Sequence, residues 1–286
     1  MNELFKEKVH VAFLGWEIER IVQPVIKMRA TRLILICLPR EEEGAWKYLL
    51  EIKRILEGEK ITVDVIETSL YKMVSLLEIL NKIFQVETRL GNEIYINVSA
   101  GTKITACAST IASMSTPGIT AYYVRTKDYY PRNHMTFPQT LTKGIKEIFA
   151  LPECQIDVPE GKYIKVLFAI ERGEKELGGK VYLKTLIEDL KNMKVINVRP
   201  NSDPRKQASS EYMAMNKLLK QLQEWDYINI SDKRRNKYIT ITRKGKDAVK
   251  MYLDYELDSK VIEKHHKQSI KEIIQLMDVP GELKLD

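Results

Sequence analysis

The chain has 286 residues, of which 44% are hydrophobic and 30% are charged, and its net charge is +7. This composition predicts a globular protein with one large or two ordinary domains, and apolar runs such as residues 33–38 are too short to span a bilayer. The three cysteines are far apart and form no zinc-binding spacing, and residues 1–13 lack a secretion signal. We therefore expect reduced thiols, no metal site, no membrane association and a cytoplasmic location.

The positive charge is concentrated in one stretch. Residues 199–250 contain 13 Lys and Arg against six Asp and Glu, net +7, whereas residues 1–150 carry net +3 and residues 251–286 carry net −3. A localised basic stretch is typical of a surface that binds nucleic acid. A basic, solvated surface without a partner is the alternative.

Residues 8–125 alternate between strand and helix patterns. Continuous apolar runs predict strands at residues 8–15, 32–39, 61–67, 93–99 and 119–125. Apolar residues at helical spacing predict helices at residues 17–28, 45–56, 70–84 and 100–114. Strands buried on both faces and joined by such helices predict an α/β fold with a Rossmann-like, mostly parallel sheet, in a domain spanning residues 1–150. Residues 126–140 are expected to form a long loop that acts as a lid or a dimer contact.

A second pattern follows a predicted linker at residues 151–162, which contains two prolines and no periodicity. Helical spacing predicts helices at residues 163–171, 182–190 and 209–225, and a final helix from about residue 244. Residues 227–231 and 237–242 read as a hairpin with a charged tip. Three helices followed by a two-stranded wing predict an α+β winged helix-turn-helix domain spanning residues 163–286.

Two strand ends in the first domain carry unusual sequences, and ligands of open parallel sheets bind beyond such ends. Leu14-Gly15-Trp16-Glu17 follows the first predicted strand, and Asn97-Val98-Ser99-Ala100-Gly101-Thr102-Lys103 follows the fourth. Glycines allow a close backbone approach, and the helix amides, two hydroxyls and the Lys103 ammonium would bind phosphate. Ordinary capping by Ser99 or Thr102 is the alternative and accounts for one hydroxyl. The GxGxxG and GxxxxGK[ST] patterns are absent, which disfavours a nicotinamide cofactor or ATP.

The sequences HVAFLGWEIERIVQPV at residues 10–25 and INVSAGTKITACASTIASM at residues 96–114 resemble the CARF domain, the CRISPR-associated Rossmann fold. The domain order is similar to that of archaeal regulators with an N-terminal CARF domain and a C-terminal winged helix. The resemblance implies a homodimer whose joined pockets bind cyclic oligoadenylate, usually the tetra-adenylate, as a second messenger. It places residues 15–17 at the first loop and residues 99–103 against phosphates and ribose. Many members have a second Gly where this chain has Ala100.

Other residues at this edge of the predicted sheet complete the expected ligand site. Arg20 and Arg40 would add positive charge or lie on the solvated surface, residues 68–70 end the third strand, and Arg125 ends the fifth. Trp16 is a candidate for stacking on an adenine. The predicted ligand-binding residues are Gly15, Trp16, Glu17, Arg20, Arg40, Thr68, Ser69, Leu70, Asn97, Ser99, Ala100, Gly101, Thr102, Lys103 and Arg125.

The third helix of the second domain and the wing are predicted to bind double-stranded DNA. Short polar side chains early in this helix would reach base edges, and cations would contact phosphates. The predicted DNA-binding residues are Gln207, Ser209, Ser210, Tyr212, Asn216, Lys217, Lys233, Arg234, Arg235 and Lys237. Met213, Leu218, Leu219 and Leu222 are expected to form the buried stripe of the helix.

The leading interpretation is a CRISPR-associated transcriptional regulator that senses cyclic oligoadenylate. No residue pattern typical of an effector nuclease is present, and no catalytic residue or cofactor is predicted. Two alternatives stay open. One is a ring nuclease that cleaves the cyclic ligand, with Lys103, Ser99 and Thr102 stabilising charge. The other is a DNA-binding dimer whose first domain serves only as a scaffold.

Overall fold

The computed structural model describes residues 6–39, 44–130, 141–198, 202–231, 237–253 and 270. The chain divides after Asp157 into two compact units. Among the described residues, none of the helices is long and apolar enough to cross a membrane.

The first unit is a sheet of six strands with four α-helices among the described residues. The strands are β1 (Lys8–Phe13), β2 (Arg32–Cys37), β3 (Thr62–Glu67), β4 (Glu93–Asn97), β5 (Ile119–Tyr129) and β6 (Thr142–Ala150). The helices are α1 (Glu19–Lys27), α2 (Trp46–Gly58), α3 (Met73–Arg89) and α4 (Lys103–Ser115). Nearly every residue of β1 and β2 is buried, so both faces of the sheet are covered there.

The strand order is β3-β2-β1-β4-β5-β6. Strands β1 to β5 are parallel, and β6 is antiparallel to β5. The order reverses between β1 and β4, which pair directly, and this reversal is the point where ligands of open α/β sheets bind. The predicted Rossmann-like, mostly parallel sheet is confirmed.

The end of this unit differs from the sequence-based expectation. β5 continues through Arg125 to Tyr129 where a loop was expected, and β6 was not predicted at all. β6 is a partly exposed edge strand with Lys143 and Lys146, so it lacks the continuous apolar run of the central strands. It is tied to α1 by the Gly144 amide, which donates to the Glu19 carboxylate. The described part of the expected lid, residues 126–130, is thus mostly the end of β5, and residues 131–140 lie outside the described residues.

The amino ends of the strands carry a cluster of charges around Arg32. Its Nη2 lies 2.7 Å from carboxylate oxygens of both Glu7 and Glu87, and its Nη1 lies 3.2 Å from Asp64 Oδ2. The Glu87 side chain is fully buried. A buried carboxylate without its cation is costly, so this cluster fixes β2, β3 and α3 at the end of the sheet opposite to the predicted ligand site.

The second unit contains α5 (Gly161–Glu176), β7 (Val181–Tyr182), α6 (Leu183–Asn192), α7 (Pro204–Glu224), β8 (Ile228–Ile230), β9 (Tyr238–Ile241) and α8 (Arg243–Tyr252). Its small antiparallel sheet has the order β7-β9-β8. α5 begins two residues inside the predicted linker, and α7 begins five residues before the predicted helix. Three helices followed by a short hairpin confirm the predicted winged helix-turn-helix fold.

A buried polar pair lies in the centre of the first unit. His10 on β1 is fully buried, and its Nδ1 lies 2.9 Å from the Tyr122 hydroxyl on β5. The His10 ring stacks on Tyr95 with 5.2 Å between centroids, and its Nε2 has no hydrogen-bond partner among the described residues. Burial, together with the nearby Lys8 charge, lowers the pKa of His10 to about 3. The imidazole therefore stays neutral in the folded protein at neutral pH.

We expect His10 to make the protein less stable in mild acid. The unfolded chain binds a proton at His10 below its ordinary pKa of about 6.5, and the folded chain does not until about pH 3. Between pH 7 and pH 5 this residue should therefore remove about 2 kcal/mol from the free energy of unfolding. The His10→Gln variant should lack that part of the loss. Urea titrations of both proteins at the two pH values measure it, and equal losses would contradict the prediction.

Candidate functional site

The two loops that the sequence singles out contact each other through their backbones. A Cβ atom added to Gly15 would lie 3.0 Å from the Gly101 nitrogen and 3.3 Å from its Cα. Gly101 has a φ of +86°, and a Cβ there would lie 2.6 Å from Thr105 Oγ1 and 2.8 Å from Phe13 Cβ. The loops after β1 and β4 can meet this closely because neither glycine carries a side chain.

A cavity of about 170 Å³ opens beside this contact. It is lined by Leu14, Gly15, Trp16, Glu17, Leu38, Leu70, Tyr71, Gly101, Thr102 and Leu141. Six of the predicted ligand-binding residues are among them: Gly15, Trp16, Glu17, Leu70, Gly101 and Thr102. The cavity thus lies at the carboxyl ends of the strands, beside the reversal of strand order, which is the edge where we expect a ligand.

Asn97 and Ser99 hold the loop in place through their polar atoms. The Asn97 amide nitrogen donates to the Arg20 carbonyl at 2.8 Å, and its Oδ1 accepts from both the amide and the hydroxyl of Ser99. The Ser99 hydroxyl also accepts from the Val124 amide at 2.8 Å. Neither residue lines the cavity. The Ser99 hydroxyl is thus engaged within the protein, and its contact with phosphate or ribose stays a prediction.

Thr102 caps α4 and leaves the first helix amides open. Its hydroxyl accepts from the Thr105 amide, and its own amide donates to Thr105 Oγ1 at 2.9 Å. The amides of Lys103 and Ile104 have no hydrogen-bond acceptor among the described residues, as is usual for the first positions of a helix. The Lys103 side chain is exposed. The start of α4 therefore offers two amides and an ammonium group to an anion.

Ala100 is buried and is not part of the cavity lining. Ala100 is 2% exposed and packs in the apolar core formed by β1, β2, α1 and α2.

Arg20 and Glu17 form an ion pair with one member in the core. Arg20 Nη1 lies 3.1 Å from Glu17 Oε2, and the guanidinium lies 5.3 Å from the Tyr123 ring centroid. Arg20 is buried and does not line the cavity, whereas Glu17 does. Burial raises the pKa of the Glu17 carboxyl, and the Arg20 guanidinium acts in the opposite direction. Arg20 therefore positions Glu17, and the prediction that it reaches the ligand is not supported by its contacts.

The remaining predicted residues are not part of the cavity lining or lie outside the described residues. Thr68 and Ser69 are half-buried in the loop after β3, and Arg125 is exposed within β5 opposite Glu147. Arg40 lies outside the described residues.

Two aromatic side chains border the cavity, and the sequence identified only one of them. Trp16 is 54% exposed and stacks on Tyr48 of α2 with 6.4 Å between ring centroids. Tyr71, in the loop after β3, is 62% exposed and was missed. An aromatic residue just after a strand at the ligand-binding edge is the signal that could have found it. Exposed aromatic rings beside a cavity are suited to stacking on bases.

The exposed side of α7 carries the predicted polar residues of the second unit. Ser209, Tyr212, Asn216 and Lys217 are exposed and Ser210 is half-buried. Gln207 instead donates to Glu211 Oε1 at 2.7 Å, and Glu211 lies 2.9 Å from Lys191 Nζ on α6. The side chain of Gln207 is thus engaged within the protein, and its contact with DNA stays a prediction.

The predicted buried stripe of α7 is wrong at one position. Met213 is 64% exposed, and Met215 is fully buried in its place, with Leu218, Leu219 and Leu222 as expected. The helix also begins earlier than expected, with the Asp203 side chain accepting from the Arg205 amide and Pro204 in the first turn. Asp before Pro is a helix-start signal that the sequence offers. It adds Arg205 and Lys206 to the exposed side of the helix.

The wing is only partly described. Lys237 is exposed next to β9, whereas Lys233, Arg234 and Arg235 lie outside the described residues. Trp225 contacts the rings of Tyr163 on α5 and Tyr227 before β8 edge-on, with centroid distances of 5.0 and 5.8 Å. These rings attach the base of the wing to α5.

Comparison with known families supports the two-unit organisation. Residues 162–252 match the DUF6293 C-terminal winged helix domain. The second unit is a winged helix domain. Residues 8–129 match a family described as HFX_2341_N-like, N-terminal. An uncharacterized protein of Methanocaldococcus jannaschii is 29% identical over 121 residues, and the match spans 40% of this chain and only 36% of that protein.

Several solved structures are similar to this chain at low scores. One is Can2 from Sulfobacillus thermosulfidooxidans in complex with cyclic tetra-adenylate, 14% identical, with a TM-score of 0.37 over 94% of this chain and 68% of that chain. Protein VC1899 from Vibrio cholerae is 13% identical, with a TM-score of 0.37 over 85% of this chain and 64% of that chain. A type III CRISPR defence DNA nuclease activated by cyclic oligoadenylate is 13% identical, with a TM-score of 0.39 over 79% of this chain and 36% of that chain.

The contact at Gly101 predicts a specific stability difference. Gly101→Ala should lower the free energy of unfolding by about 2 to 4 kcal/mol, because its Cβ adds a clash to an unfavourable positive φ. Gly118→Ala is the matched control, since Gly118 has a φ of +82° and nothing within 4 Å of an added Cβ. It should lose about 1 kcal/mol. Urea unfolding of the three proteins provides the comparison, and equal losses at both glycines would rule out the close contact.

Proposed function

We propose that this chain is a CRISPR-associated, ligand-responsive transcriptional regulator. In the proposal, the first unit binds cyclic oligoadenylate, most favourably the tetra-adenylate, within a homodimer. The winged helix unit binds double-stranded DNA, and the ligand changes its affinity for DNA. The proposal includes a cytoplasmic location, where the free thiols of Cys37, Cys107 and Cys154 stay reduced.

The observation that carries the ligand proposal is the contact between Gly15 and Gly101. It joins the two motifs that resemble the CARF domain at one cavity, at the reversal of strand order. The open amides of α4 and the Lys103 ammonium suit a phosphate, and the exposed rings of Trp16 and Tyr71 suit a base. A cyclic oligonucleotide presents both groups together.

The size of the cavity supports a shared site. Its volume of about 170 Å³ is below the roughly 300 to 1,000 Å³ that usually enclose a small molecule. A ring of several nucleotides would therefore extend beyond one chain. In a two-fold homodimer each half of a symmetric ring would meet the same set of residues, so two such cavities together would form one site.

The helix that begins at the cavity offers a route for coupling. α4 runs from Lys103, which follows the cavity-lining Thr102, to Ser115. Near its other end, the Met114 carbonyl accepts from the Ile156 amide at 2.9 Å, just before the chain enters the second unit. A ligand that binds more tightly when α4 is in one of two positions would increase the population of that position. The residues attached to the end of α4 through Met114 would then shift with it. Coupling of this kind also requires DNA to alter the ligand affinity by the same factor.

The DNA-binding part of the proposal is supported by the family match and by charge. The exposed side of α7 carries four cations, Arg205, Lys206, Lys217 and Lys220. The one acidic residue between positions 205 and 220 is Glu211, which is buried and forms an ion pair with Lys191. A basic, polar helix in the third position of a winged helix domain is suited to the major groove.

Two of the three groups expected to act in the ring-nuclease alternative already make hydrogen bonds within the protein. Of the three groups that would stabilise charge during cleavage, the Ser99 hydroxyl bonds to Asn97 and Val124, and the Thr102 hydroxyl caps α4. Only Lys103 is left exposed. We therefore propose binding without efficient cleavage.

Lys103 provides the test of the ligand site. Lys103→Ala should weaken binding of cyclic tetra-adenylate at least tenfold, because a charge-assisted contact to phosphate is lost. DNA binding without ligand should stay unchanged. Lys27→Ala, which removes an exposed lysine at the far end of α1, is the control and should bind the ring like the parent. Calorimetric titration measures both variants, and equal affinities for all three proteins would refute the assignment.

Lys217 provides the corresponding test in the second unit. Lys217→Ala should weaken DNA binding at all sequences alike and reduce the slope of log affinity against log salt by about one. Lys175→Ala on α5, where the exposed lysine lies 3.3 Å from Glu171, is the control and should leave the slope unchanged. Fluorescence anisotropy at several salt concentrations gives the slopes. A parent slope near zero would argue against DNA binding by this domain.

A further inference from the structure

Two apolar side chains lie on the exposed side of α7, where the sequence predicted one buried and one polar residue. Met213 is 64% exposed and Tyr212 is 43% exposed, and neither side chain has a hydrogen bond or ring contact in the described part of the chain. The buried side of the helix is supplied by Met215, Leu218, Leu219 and Leu222 instead. The stability of this unit therefore does not depend on Met213 and Tyr212 being apolar.

The surroundings of this pair indicate what covers it. At 3.6 residues per turn, positions 205, 209, 212, 213, 216 and 220 lie on one side of α7. Arg205 and Lys206 precede the apolar pair, and Lys217 and Lys220 follow it, so cations flank it at both ends. An apolar protein partner would be disfavoured by this charge, whereas a polyanion with an apolar patch in its groove is complementary to it.

In the major groove, the apolar group that bases present is the C5 methyl of thymine. We propose that Met213 and Tyr212 contact thymine methyl groups, so that the chain prefers sites with A·T pairs opposite the middle of α7. This inference rests on the proposed DNA binding and adds the class of sequence that is read. Ser209 and Asn216, one turn before and after the pair, would lie at base edges on either side.

The test compares thymine with deoxyuridine, which lacks only the C5 methyl group. The full chain first selects sequences from a pool of random duplexes, and each thymine of the selected duplex is then replaced in turn. The parent protein should lose affinity about threefold to fivefold at one or more positions, the value expected for one buried methyl group. Met213→Ala or Tyr212→Ala should bind the two duplexes equally at those positions.

Two control variants separate base reading from other effects. Leu177→Ala removes another exposed apolar side chain, outside α7, and should keep the discrimination of the parent. Lys217→Ala should weaken binding to the thymine and deoxyuridine duplexes by the same factor.

Three outcomes would overturn the inference. In the first, the parent selects a duplex but binds the thymine and deoxyuridine versions equally at every position. This result would refute the contact with thymine methyl groups and would leave the proposed DNA binding intact. In the second, discrimination persists in both Met213→Ala and Tyr212→Ala. In the third, Met213→Ala reduces the mass of the assembly in sedimentation without DNA, which would make the pair an interface between copies. Failure to select any duplex would instead refute the DNA-binding proposal itself.

Discussion

The close approach of Gly15 and Gly101 is the constraint on which the rest of the first unit depends. β1 and β4 pair directly, so the loops that follow them leave the sheet side by side. A Cβ at Gly15 would press on the Gly101 backbone, and a Cβ at Gly101 would clash with Thr105 of α4 and Phe13 of β1. At the opposite end of the strands, the charge cluster around Arg32 holds β2, β3 and α3 together. One end of the sheet is thus fixed by buried charges, and the other keeps an open cavity.

The polar groups at the end of β4 divide into a supporting set and an open set. Asn97 and Ser99 bond to each other and to neighbouring backbone, and Thr102 completes the cap of α4. The amides at positions 103 and 104 and the Lys103 ammonium have no such partners among the described residues. Groups that are fixed within the protein cannot move to a reacting phosphate without losing those bonds. This division supports a site that binds an anion and leaves it intact.

The sequence predicted the central strands well because burial on both faces produces continuous apolar runs that few other structures share. It missed β6 because an edge strand is partly solvated and loses that pattern. Its glycines singled out the two loops that meet at the cavity. It did not anticipate the bond from Val124 to the Ser99 hydroxyl, because Val124 lies on a strand 25 positions away in the chain. Met213 was expected to be buried because residue type alone cannot show which of Met213 and Met215 faces the core. Long-range contacts of this kind follow only from the assembled fold.

The central claim is that the first unit is a sensor, and a calorimetric titration of the full chain with cyclic tetra-adenylate tests it most directly. The account predicts binding of one ring per two chains, with the ring recovered intact from the mixture afterwards. Absence of binding would contradict the account and leave the first unit as a scaffold for the winged helix domain. Recovery of linear products would contradict it in another way, since the chain would then be a ring nuclease despite the engaged hydroxyls of Ser99 and Thr102.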